Sequence, residues 1–528
     1  MKSRTSKIFR LLAFSFLVAF VSLSFGAQKN SDRSSEVREK IRKYRTENEV
    51  NILNEFSELL SFPNAASDQI NIQKNANYLI SMLQKRGFKA ELLTVPDCPP
   101  AVYGELKTKG AKHTILLYSH FDGNPVVGKE WATNPWKAVL RDKMLEEGGK
   151  IIPLEEAKGK IQGEWRLYAR SSSDEKAAIM AMIAAVDSLK ASRIPLTVNI
   201  KFIFEGEEEV GSPHMESLLQ KYHDLLKSDA LLMCGGPVLS SRNMVIYFGV
   251  RGGVGLELTV YGANTHLHSG HYGNWAPNPI SLLANLIASM RDSNGNVIIK
   301  GFYDGLRPLG ETELRALKEV PSSWDVELRQ KLGLAWSEAN NAPLVERIML
   351  PGLNLGSIQS WPASGAAAIP SEAKVSIDFR LVPDQTPEKV KNLVETHIRE
   401  RGFHIVYETP NTETRIKYPK IARLQWEGKG SLPVRFPMDL PFSKAIVKAL
   451  EGAIEGPLIK MPNIGSGAPT EVFERQLKVP IVIFPIVNHD NNQHGPNENV
   501  RLQNLWDGID LYANLFARLG QFWKENTP

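Results

Sequence analysis

The chain has 528 residues, 42% of them hydrophobic and 23% charged, and a formal net charge of +5 at pH 7. This composition excludes collagen-like, disordered and disulfide-stapled chains, and the length predicts about two to four domains. Because no concentrated run of Lys or Arg follows the N-terminal segment, nucleic acid is not expected as a partner.

The first 27 residues have the pattern of an export signal. They contain four basic residues and no acidic one, with an apolar stretch from Leu11 to Phe25 and small residues up to Ala27. Without them the chain has 59 basic residues against 58 acidic ones. The apolar stretch is shorter than the roughly 20 residues that span a bilayer, so an uncleaved anchor is the weaker alternative. We predict cleavage, no stable membrane anchor, and a secreted or periplasmic protein.

The first part of the chain alternates helices with short, continuous apolar strands. The apolar spacing predicts helical structure over residues 34–85, and the later elements are the strands Thr114 to Tyr118, Val198 to Phe204 and Ala230 to Met233 and the helix Lys176 to Lys190. Continuous apolar strands between helices are typical of a sheet covered on both faces. We therefore predict an α/β domain over residues 35–249.

The pattern changes after residue 249. Strands with period-2 alternation now come between helices. The predicted strands are Gly255 to Tyr261, Ala373 to Leu381 and Phe403 to Tyr407, and the helices between them are Pro279 to Arg291 and Pro387 to Arg401. This β-α-β-α-β order predicts a smaller α+β domain with one solvated face over residues 250–410. The charged stretch 300–350 is an insertion that the pattern does not place. Helices and the buried strand Val479 to Phe484 return over residues 411–528, which indicates a second part of the α/β domain.

Residues that can bind metals collect at the ends of the predicted strands. His120 and Asp122 follow the strand Thr114 to Tyr118, and Asp122 can orient the imidazole of His120. Asp174 lies in a Ser-rich turn where a long helix starts. Each motif has a plainer reading, because a His and an Asp at a strand end are ordinary and an Asp at a helix start is a good N-cap.

The stretch Glu205-Gly206-Glu207-Glu208-Glu209 is the most informative. Its four carboxylates follow an apolar strand and repel one another, so neutralising cations explain it better than a solvated acidic loop does. Since adjacent residues that leave a strand point in different directions, one of Glu208 and Glu209 can bind metal while the other faces the substrate as a general base. His268 lies among three histidines in the second domain, and His494 lies in the polar loop after the last buried strand.

The motifs His-x-Asp, Asp-x-Lys, Glu-Glu-x-Gly-Ser, Leu-His-Ser-Gly and His-x-Pro-Asn-Glu occur in this order along the chain. From about residue 40 to the C-terminus, the chain thereby resembles the di-zinc exopeptidases of the aminoacylase, carnosine dipeptidase and glutamate carboxypeptidase type. The run from Leu267 to Gly273 is most similar to the carnosine-dipeptidase-like branch. The resemblance implies a discontinuous zinc-exopeptidase catalytic domain over 35–249 and 411–528, with a ferredoxin-like α+β lid and dimerisation domain inserted over 250–410.

The resemblance also implies roles for single residues. The matching metal ligands are His120, Asp174, Glu209 and His494, with Asp174 bridging two ions. Glu208 matches the general base, and Asp122 matches the acid commonly paired with it. His268 matches a lid histidine that reaches the active site of the neighbouring subunit, which implies a homodimer. Arg380 matches a residue that binds the terminal carboxylate of the substrate.

The chemistry of these residues agrees with the resemblance. Two cations that share Asp174 would polarise the scissile carbonyl and lower the pKa of a bound water, while Glu208 takes the proton and passes it to the leaving amine. His268 would face the oxyanion. Imidazole and carboxylate ligands without a thiolate suit two zinc ions, with manganese or cobalt as alternatives.

One position departs from the family pattern. Where the resemblance places a further carboxylate ligand, the chain has Gly235, followed by Gly236 and Pro237. One metal site would then be weakened, because its ion would keep only His120, Asp174 and water. Cys234 is a poor substitute, since one step along a strand turns a side chain to the opposite face. The sequence leaves open whether Cys234 pairs with Cys98.

We predict an exported metallopeptidase that hydrolyses dipeptides or short peptides from one end. An N-acyl-amino-acid deacylase with the same mechanism is the nearest alternative, and the missing ligand leaves a non-catalytic, peptide-binding descendant as another. A serine hydrolase that uses Ser466 is discounted, because Gly465-Ser466-Gly467 lacks the Gly-x-Ser-x-Gly elbow.

Overall fold

The computed structural model describes residues 35–128, 130–361, 367–454, 456–465, 467 and 469–524. The expected export signal, residues 1–27, lies outside them. The chain falls into two compact units, the first built from Met1–Ile246, Asp439–Leu458 and Ile483–Pro528 and the second from Tyr247–Met438 and Ile459–Val482. Over its described residues, the chain has no helix whose length and hydropathy would suit a membrane span.

The first unit is built on a mixed β-sheet. Its neighbouring strands are, in order, Lys89–Leu93, Ala101–Leu106, Asn199–Glu205, Thr114–His120, Ala230–Cys234, Ile481–Phe484 and Val245–Tyr247. The strand Thr114–His120 lies parallel to both Asn199–Glu205 and Ala230–Cys234. These three strands are buried along almost their whole length, which explains why they read as continuous apolar runs. Their carboxyl ends share one edge of the sheet.

Helices pack around this sheet. In chain order they are the helix 35–60 and the helices Gln69–Lys85, Lys176–Ala191, Met215–Lys221, His223–Leu226, Pro441–Glu451 and Leu502–Phe522, with short 3-10 turns at Leu145–Glu147, Leu154–Glu156 and Glu208–Val210. The helix Lys176–Ala191 packs against Leu502–Phe522 and buries residues on all its faces. Its Ala-rich sequence suits this position, because small side chains allow close packing while keeping a high helix propensity.

A small three-stranded sheet in the same unit supports the functional loops. Its strand order is Asn499–Arg501, Arg166–Tyr168 and Val139–Arg141, all antiparallel. The pairing of Asn499–Arg501 with Arg166–Tyr168 brings the late polar loop next to the Ser-rich turn that precedes the helix Lys176–Ala191. Two distant segments of the sequence are thereby joined at one place.

The second unit contains a five-stranded sheet with helices on one face. The strands are, in order, Gly352–Trp361, Glu372–Leu381, Gly252–Tyr261, Ile421–Ser431 and His404–Val406, antiparallel except for the last pair. Residues of Glu372–Leu381 alternate between buried and partly exposed positions. The buried ones share one apolar core with the helices Pro279–Met290 and Pro387–Glu400. This arrangement agrees with the predicted α+β layer.

Other elements of the second unit are short. They are the helices Ser269–Tyr272, Glu311–Glu319, Ser323–Lys331, Glu338–Asn341, Leu344–Arg347, Thr412–Lys417 and Thr470–Leu477 and the strands Gly249–Val250, Leu267–His268, Ala368–Ile369, Val434–Arg435 and Ile459–Met461. The unplaced stretch 300–350 therefore forms small helices. The predicted end of the insert, residue 410, falls before Ile421–Ser431, which pairs with Gly252–Tyr261 inside this sheet.

Candidate metal centre and active site

Imidazoles and carboxylates from four segments of the chain meet at the carboxyl ends of the parallel strands. His120, Asp174 and Glu175 offer ligand atoms within 4.8 Å of one another, and Asp174, Glu209 and His494 form a second such group. Asp174 belongs to both groups, because its Oδ1 lies 3.2 Å from His120 Nε2 and its Oδ2 lies 3.0 Å from His494 Nε2. The structure thus brings together the four residues expected as ligands and adds Glu175 to them.

The buried carboxylate of Asp122 connects the first strand end to the acidic loop. Its Oδ1 lies 3.2 Å from His120 Nδ1 and accepts a hydrogen bond from the backbone N–H of Glu208, at 3.1 Å. Its Oδ2 accepts one from the backbone N–H of Glu209, at 3.0 Å. Both amides belong to the start of a 3-10 turn, where backbone donors lack partners within the turn. Asp122 therefore orients His120 and anchors the turn that carries Glu208 and Glu209.

The turn that carries Asp174 is held by Glu498. This fully buried carboxylate accepts backbone hydrogen bonds from Ser171, Ser173 and Asp174, each at 2.9 Å. The Arg170 guanidinium donates to the same carboxylate at 2.8 Å and offsets the cost of burying it. Glu498 closes the late polar motif and had no assigned role in the sequence. Its position beside a strand that pairs with Arg166–Tyr168 could not be read from the motif alone.

The alternative reading of Asp174 as a helix cap does not hold. The helix begins at Lys176, and its N-cap residue is Glu175, whose side chain makes no capping hydrogen bond. The carboxylate of Asp174 instead lies between two imidazoles, those of His120 and His494. Asp174 therefore has the position of a residue that can bridge two cations.

Glu175 is the site residue that the sequence analysis missed. A Cβ built at Gly235 would lie 1.8 Å from the carboxyl carbon of Glu175. The expected gap at Gly235 is therefore filled by this carboxylate, which places a third possible ligand beside His120 and Asp174. Cys234 is buried and free, and Cys98 is also free, so the two cysteines form no disulfide.

The charges of the group depend strongly on one another. Burial first, and then neighbouring carboxylates, raise the pKa of Glu175 to about 8 and that of Glu209 to about 7. Burial opposes ionisation of Asp174 as well, but the hydrogen bonds of His120 and His494 hold its pKa below the usual range. Burial also disfavours the charged form of His120, yet its carboxylate partners raise the pKa of this imidazole well above its ordinary value. Cations would relieve this crowding of negative charge.

The donor set fits divalent metal ions. Each group consists of imidazole nitrogens and carboxylate oxygens without a thiolate, which suits zinc, manganese or cobalt. The amide of Asn124 donates to Glu209 Oε2 at 2.6 Å and orients that carboxylate. Such outer contacts are usual around metal ligands, because they hold the ligand atoms in place.

The remaining predicted residues lie in the second unit. His268 ends the short strand Leu267–His268, is exposed, and accepts a hydrogen bond from the backbone N–H of Gly270 at its Nδ1. Arg380 lies on Glu372–Leu381 and donates from Nε to Asp378 Oδ2 at 2.7 Å. Their roles toward a neighbouring subunit and a substrate carboxylate stay predictions.

A comparison of the sequence with models of protein families identifies the family of this chain. The model described as Peptidase family M20/M25/M40 matches residues 116–518, a range that holds every residue of both ligand groups. The chain belongs to this family. The fold predicted from the sequence, a zinc-exopeptidase α/β catalytic domain, is confirmed by this match.

Individual relatives of this M20 peptidase are dipeptidases and a carboxypeptidase. It is 25% identical to a Cys-Gly metallodipeptidase of Schizosaccharomyces pombe over 485 residues, which are 88% of this chain and 94% of the relative. It is 26% identical to the human Beta-Ala-His dipeptidase over 434 residues, 80% of this chain and 78% of the relative. An M20 family metallo-carboxypeptidase from Sulfolobus solfataricus has a similar structure, with a TM-score of 0.69, 28% identity, and coverage of 89% of this chain and 99% of that one.

These similarities confirm one prediction and correct another. The M20 peptidase is a metal-dependent hydrolase, and the deacylase and non-catalytic alternatives are not favoured. The prediction of a secreted or periplasmic protein is wrong, because the Cys-Gly metallodipeptidase relatives from yeasts are described as cytosolic enzymes. A basic and apolar N-terminal stretch was the only support for export, and it lies outside the described residues.

Proposed function

We propose that this M20 peptidase hydrolyses dipeptides or short peptides from one end, with two zinc ions in the site. One observation carries the proposal: two groups of imidazole and carboxylate ligands share Asp174, and Glu208 lies next to them. Dipeptides are the proposed substrates because two of the relatives are dipeptidases by name.

The residues that would hold the ions are His120, Asp174, Glu209 and His494. When bound, the ions supply a Lewis acid for the scissile carbonyl and lower the pKa of a water molecule. Manganese or cobalt are the alternatives to zinc, because the donor set does not distinguish them. Asp122, Glu498 and Asn124 position three of these side chains, those of His120, Asp174 and Glu209.

Glu208 has the position of a general base. Its Oε2 lies 3.8 Å from His120 Nε2, and its side chain is 30% exposed, so it adjoins the ligands and remains accessible to a substrate. Burial, followed by the effect of nearby carboxylates such as Asp174, raises its pKa. A carboxylate with a raised pKa accepts a proton more readily at neutral pH and can return it to the leaving amine.

The substrate would be held by residues from outside this group. Arg380 would bind the terminal carboxylate of the peptide, since a guanidinium matches that group with two parallel hydrogen bonds. His268 would stabilise the negative charge that develops on the carbonyl oxygen, and it would do so from the second subunit of a homodimer. Asp122 would keep the Glu208 turn and the His120 ring in register during the reaction.

A metal assay combined with a substrate panel tests the proposal. The metal-stripped chain is reloaded with zinc, manganese or cobalt, and hydrolysis is followed for Cys-Gly, β-Ala-His and unrelated dipeptides, with N-acetylated amino acids for the deacylase alternative. We expect metal-dependent release of free amino acids from at least one dipeptide. If no peptide is cleaved with any of the three metals, the proposed function is wrong.

A further inference from the structure

The space at the end of the strand Ala230–Cys234 is shared by two residues. A Cβ at Gly235 would lie 1.8 Å from the carboxyl carbon and Oε1 of Glu175 and 1.9 Å from its Oε2. Gly235 also has a φ of +150°, a conformation that residues with side chains rarely adopt, and its N–H donates to the Phe484 carbonyl at 3.3 Å. A side chain at position 235 would therefore force the Glu175 carboxylate out of its present position and would also strain the backbone.

The Glu175 carboxylate points at the ligands. Its Oε2 lies 3.9 Å from His120 Nε2, the same nitrogen that lies 3.2 Å from Asp174 Oδ1. Its other contact is a long hydrogen bond of 3.4 Å from Ser119 Oγ. Within the described part of the chain, His120 is its ion-pair partner, and no Lys or Arg neutralises it.

This environment is unfavourable for a carboxylate that has only a structural role. The side chain is 13% exposed, and the carboxylates of Asp174, Glu208 and Glu209 act on it. A buried charge is tolerated when it is paired or when it coordinates a metal. Two imidazoles, His120 and His494, are shared among the four carboxylates, and only His120 pairs with Glu175.

We propose that Glu175 is the third protein ligand of the ion held by His120 and Asp174, and that its carboxylate occupies the space that a side chain at position 235 would fill. The inference rests on the proposed function in one respect, namely that the site holds metal. It assigns a ligand that the sequence motifs leave out. It also makes position 235 important for metal binding, because the absence of a side chain there leaves room for the Glu175 carboxylate.

Metal stoichiometry tests the proposal without reference to catalysis. Native chain and Glu175→Gln are stripped with a chelator, reloaded with zinc and gel-filtered, and bound zinc is measured by mass spectrometry and by competition with a chromophoric chelator. We expect two ions per native chain, and loss of affinity for one of them by about 100-fold or more in Glu175→Gln, since even outer-shell changes cost about 10–100-fold. Glu55→Gln is the control, because it removes a partly buried carboxylate that pairs with Arg86 and lies outside every cluster of the described residues that could hold a metal ion.

Variants at position 235 test the shared space. Gly235→Asp alone should gain no metal and should lose thermal stability, since its Cβ meets Glu175. In the double variant Glu175→Ala with Gly235→Asp, the contact with Glu175 is removed although the strain of the positive φ remains, and the new carboxylate should restore part of the binding of the second ion. A second ion that stays absent in the double variant, while Gly235→Asp alone binds two ions normally, would overturn the role given to Gly235.

The outcomes separate this inference from the proposed function. If native chain and Glu175→Gln bind two zinc ions with equal affinity, the inference is wrong and the proposed function stands. If the native chain binds two ions but cleaves no peptide, the proposed function fails while the Glu175→Gln comparison still decides the inference. Unfolding in the presence of chelator checks the fold, and the Tm increase on adding zinc should be smaller in Glu175→Gln than in Glu55→Gln. Equal increases would contradict a ligand role.

Discussion

Asp122 Oδ1 lies 3.2 Å from the ring nitrogen of His120 and accepts the backbone hydrogen of Glu208 at the same time. One buried carboxylate thus holds His120, the proposed metal ligand, and the turn that carries Glu208, the proposed general base. Because Asp122 has no exposed surface, its bonds are made within the protein and not with water.

Asp122→Asn should weaken metal binding without abolishing the fold. An amide has one acceptor oxygen, so one of the two backbone N–H groups of Glu208 and Glu209 would lose its partner, at a cost of about 1–3 kcal/mol. The looser orientation of His120 should lower zinc affinity by about 10–100-fold. Chelator competition and urea unfolding measure the two effects.

Asp229→Asn provides the control for this experiment. Asp229 also binds a backbone N–H with its carboxylate, that of Thr114, but at the opposite end of the strand Thr114–His120. It should change stability slightly and leave zinc affinity unchanged. Equal zinc affinity in Asp122→Asn and the native chain would rule out the positioning role of Asp122.

Glu208→Gln should separate catalysis from metal binding. Glu208 lies outside both ligand groups, so the variant should keep two ions per chain. Loss of the proton acceptor should lower kcat by about 10²–10⁴-fold. Glu209→Gln is the comparison, and it should lose metal as well as activity. Hydrolysis at the native rate by metal-loaded Glu208→Gln would show that another group accepts the proton.

Glu205 should make stability depend on pH. It is buried, accepts a hydrogen bond of 2.5 Å from Tyr118, and burial raises its pKa to about 8. An unfolded chain loses this proton near pH 4.3, about four units lower. Between about pH 5 and 8 the folded state keeps the proton and the unfolded state does not, so the free energy of unfolding falls by about 1.4 kcal/mol per pH unit from this group. Above its folded pKa the contribution becomes constant.

Glu205→Gln should remove this pH dependence. Gln keeps an acceptor for the Tyr118 hydroxyl but does not ionise, so its stability relative to the native chain should rise by a few kcal/mol from pH 5 to 8. Urea unfolding of both proteins in chelator at four pH values measures the difference. Tyr118→Phe keeps the acid and should retain the dependence. A stability difference that does not change with pH would mean that Glu205 ionises normally in the fold.

The sequence predicts the parts of the fold whose apolar pattern is continuous. The strand Thr114–His120 and the helix Lys176–Ala191 are buried on all sides, so their apolar runs are unambiguous. The strand Ile421–Ser431 was missed because its residues from Gln425 onward are largely exposed and end in a Gly-Lys-Gly-Ser run, which lacks both the apolar and the alternating signal.

The same distinction applies to the site. His120, Asp174 and Glu209 each follow a strand or turn with a recognisable motif, so their types and spacing carry the prediction. Glu175 carries no such signal of its own, because it directly follows Asp174 in the same motif. The one feature that relates to it is the glycine at position 235, whose missing side chain leaves room for the Glu175 carboxylate. Which residue fills that space depends on the position of two segments about 60 residues apart in the chain, and no local pattern records that contact.

His268 should act across a subunit boundary if the homodimer forms as proposed. It is exposed and lies in the second unit, whereas all residues of both ligand groups lie in the first. Chains that carry Glu208→Gln should be inactive for lack of the base, and chains that carry His268→Ala should be inactive for lack of the oxyanion contact, by about 10²–10³-fold. Mixing the two should create heterodimers in which one active site has Glu208 from one chain and His268 from the other. Activity should therefore recover toward a quarter of the native value when half of the dimers are mixed.

Mixed dimers are prepared by partial unfolding and refolding, and their mass is checked by gel filtration. A mixture of Glu208→Gln with Glu209→Gln is the control. It should stay inactive, because both losses lie in the first unit. No recovery in verified heterodimers would place His268 in its own subunit's site or outside the reaction altogether.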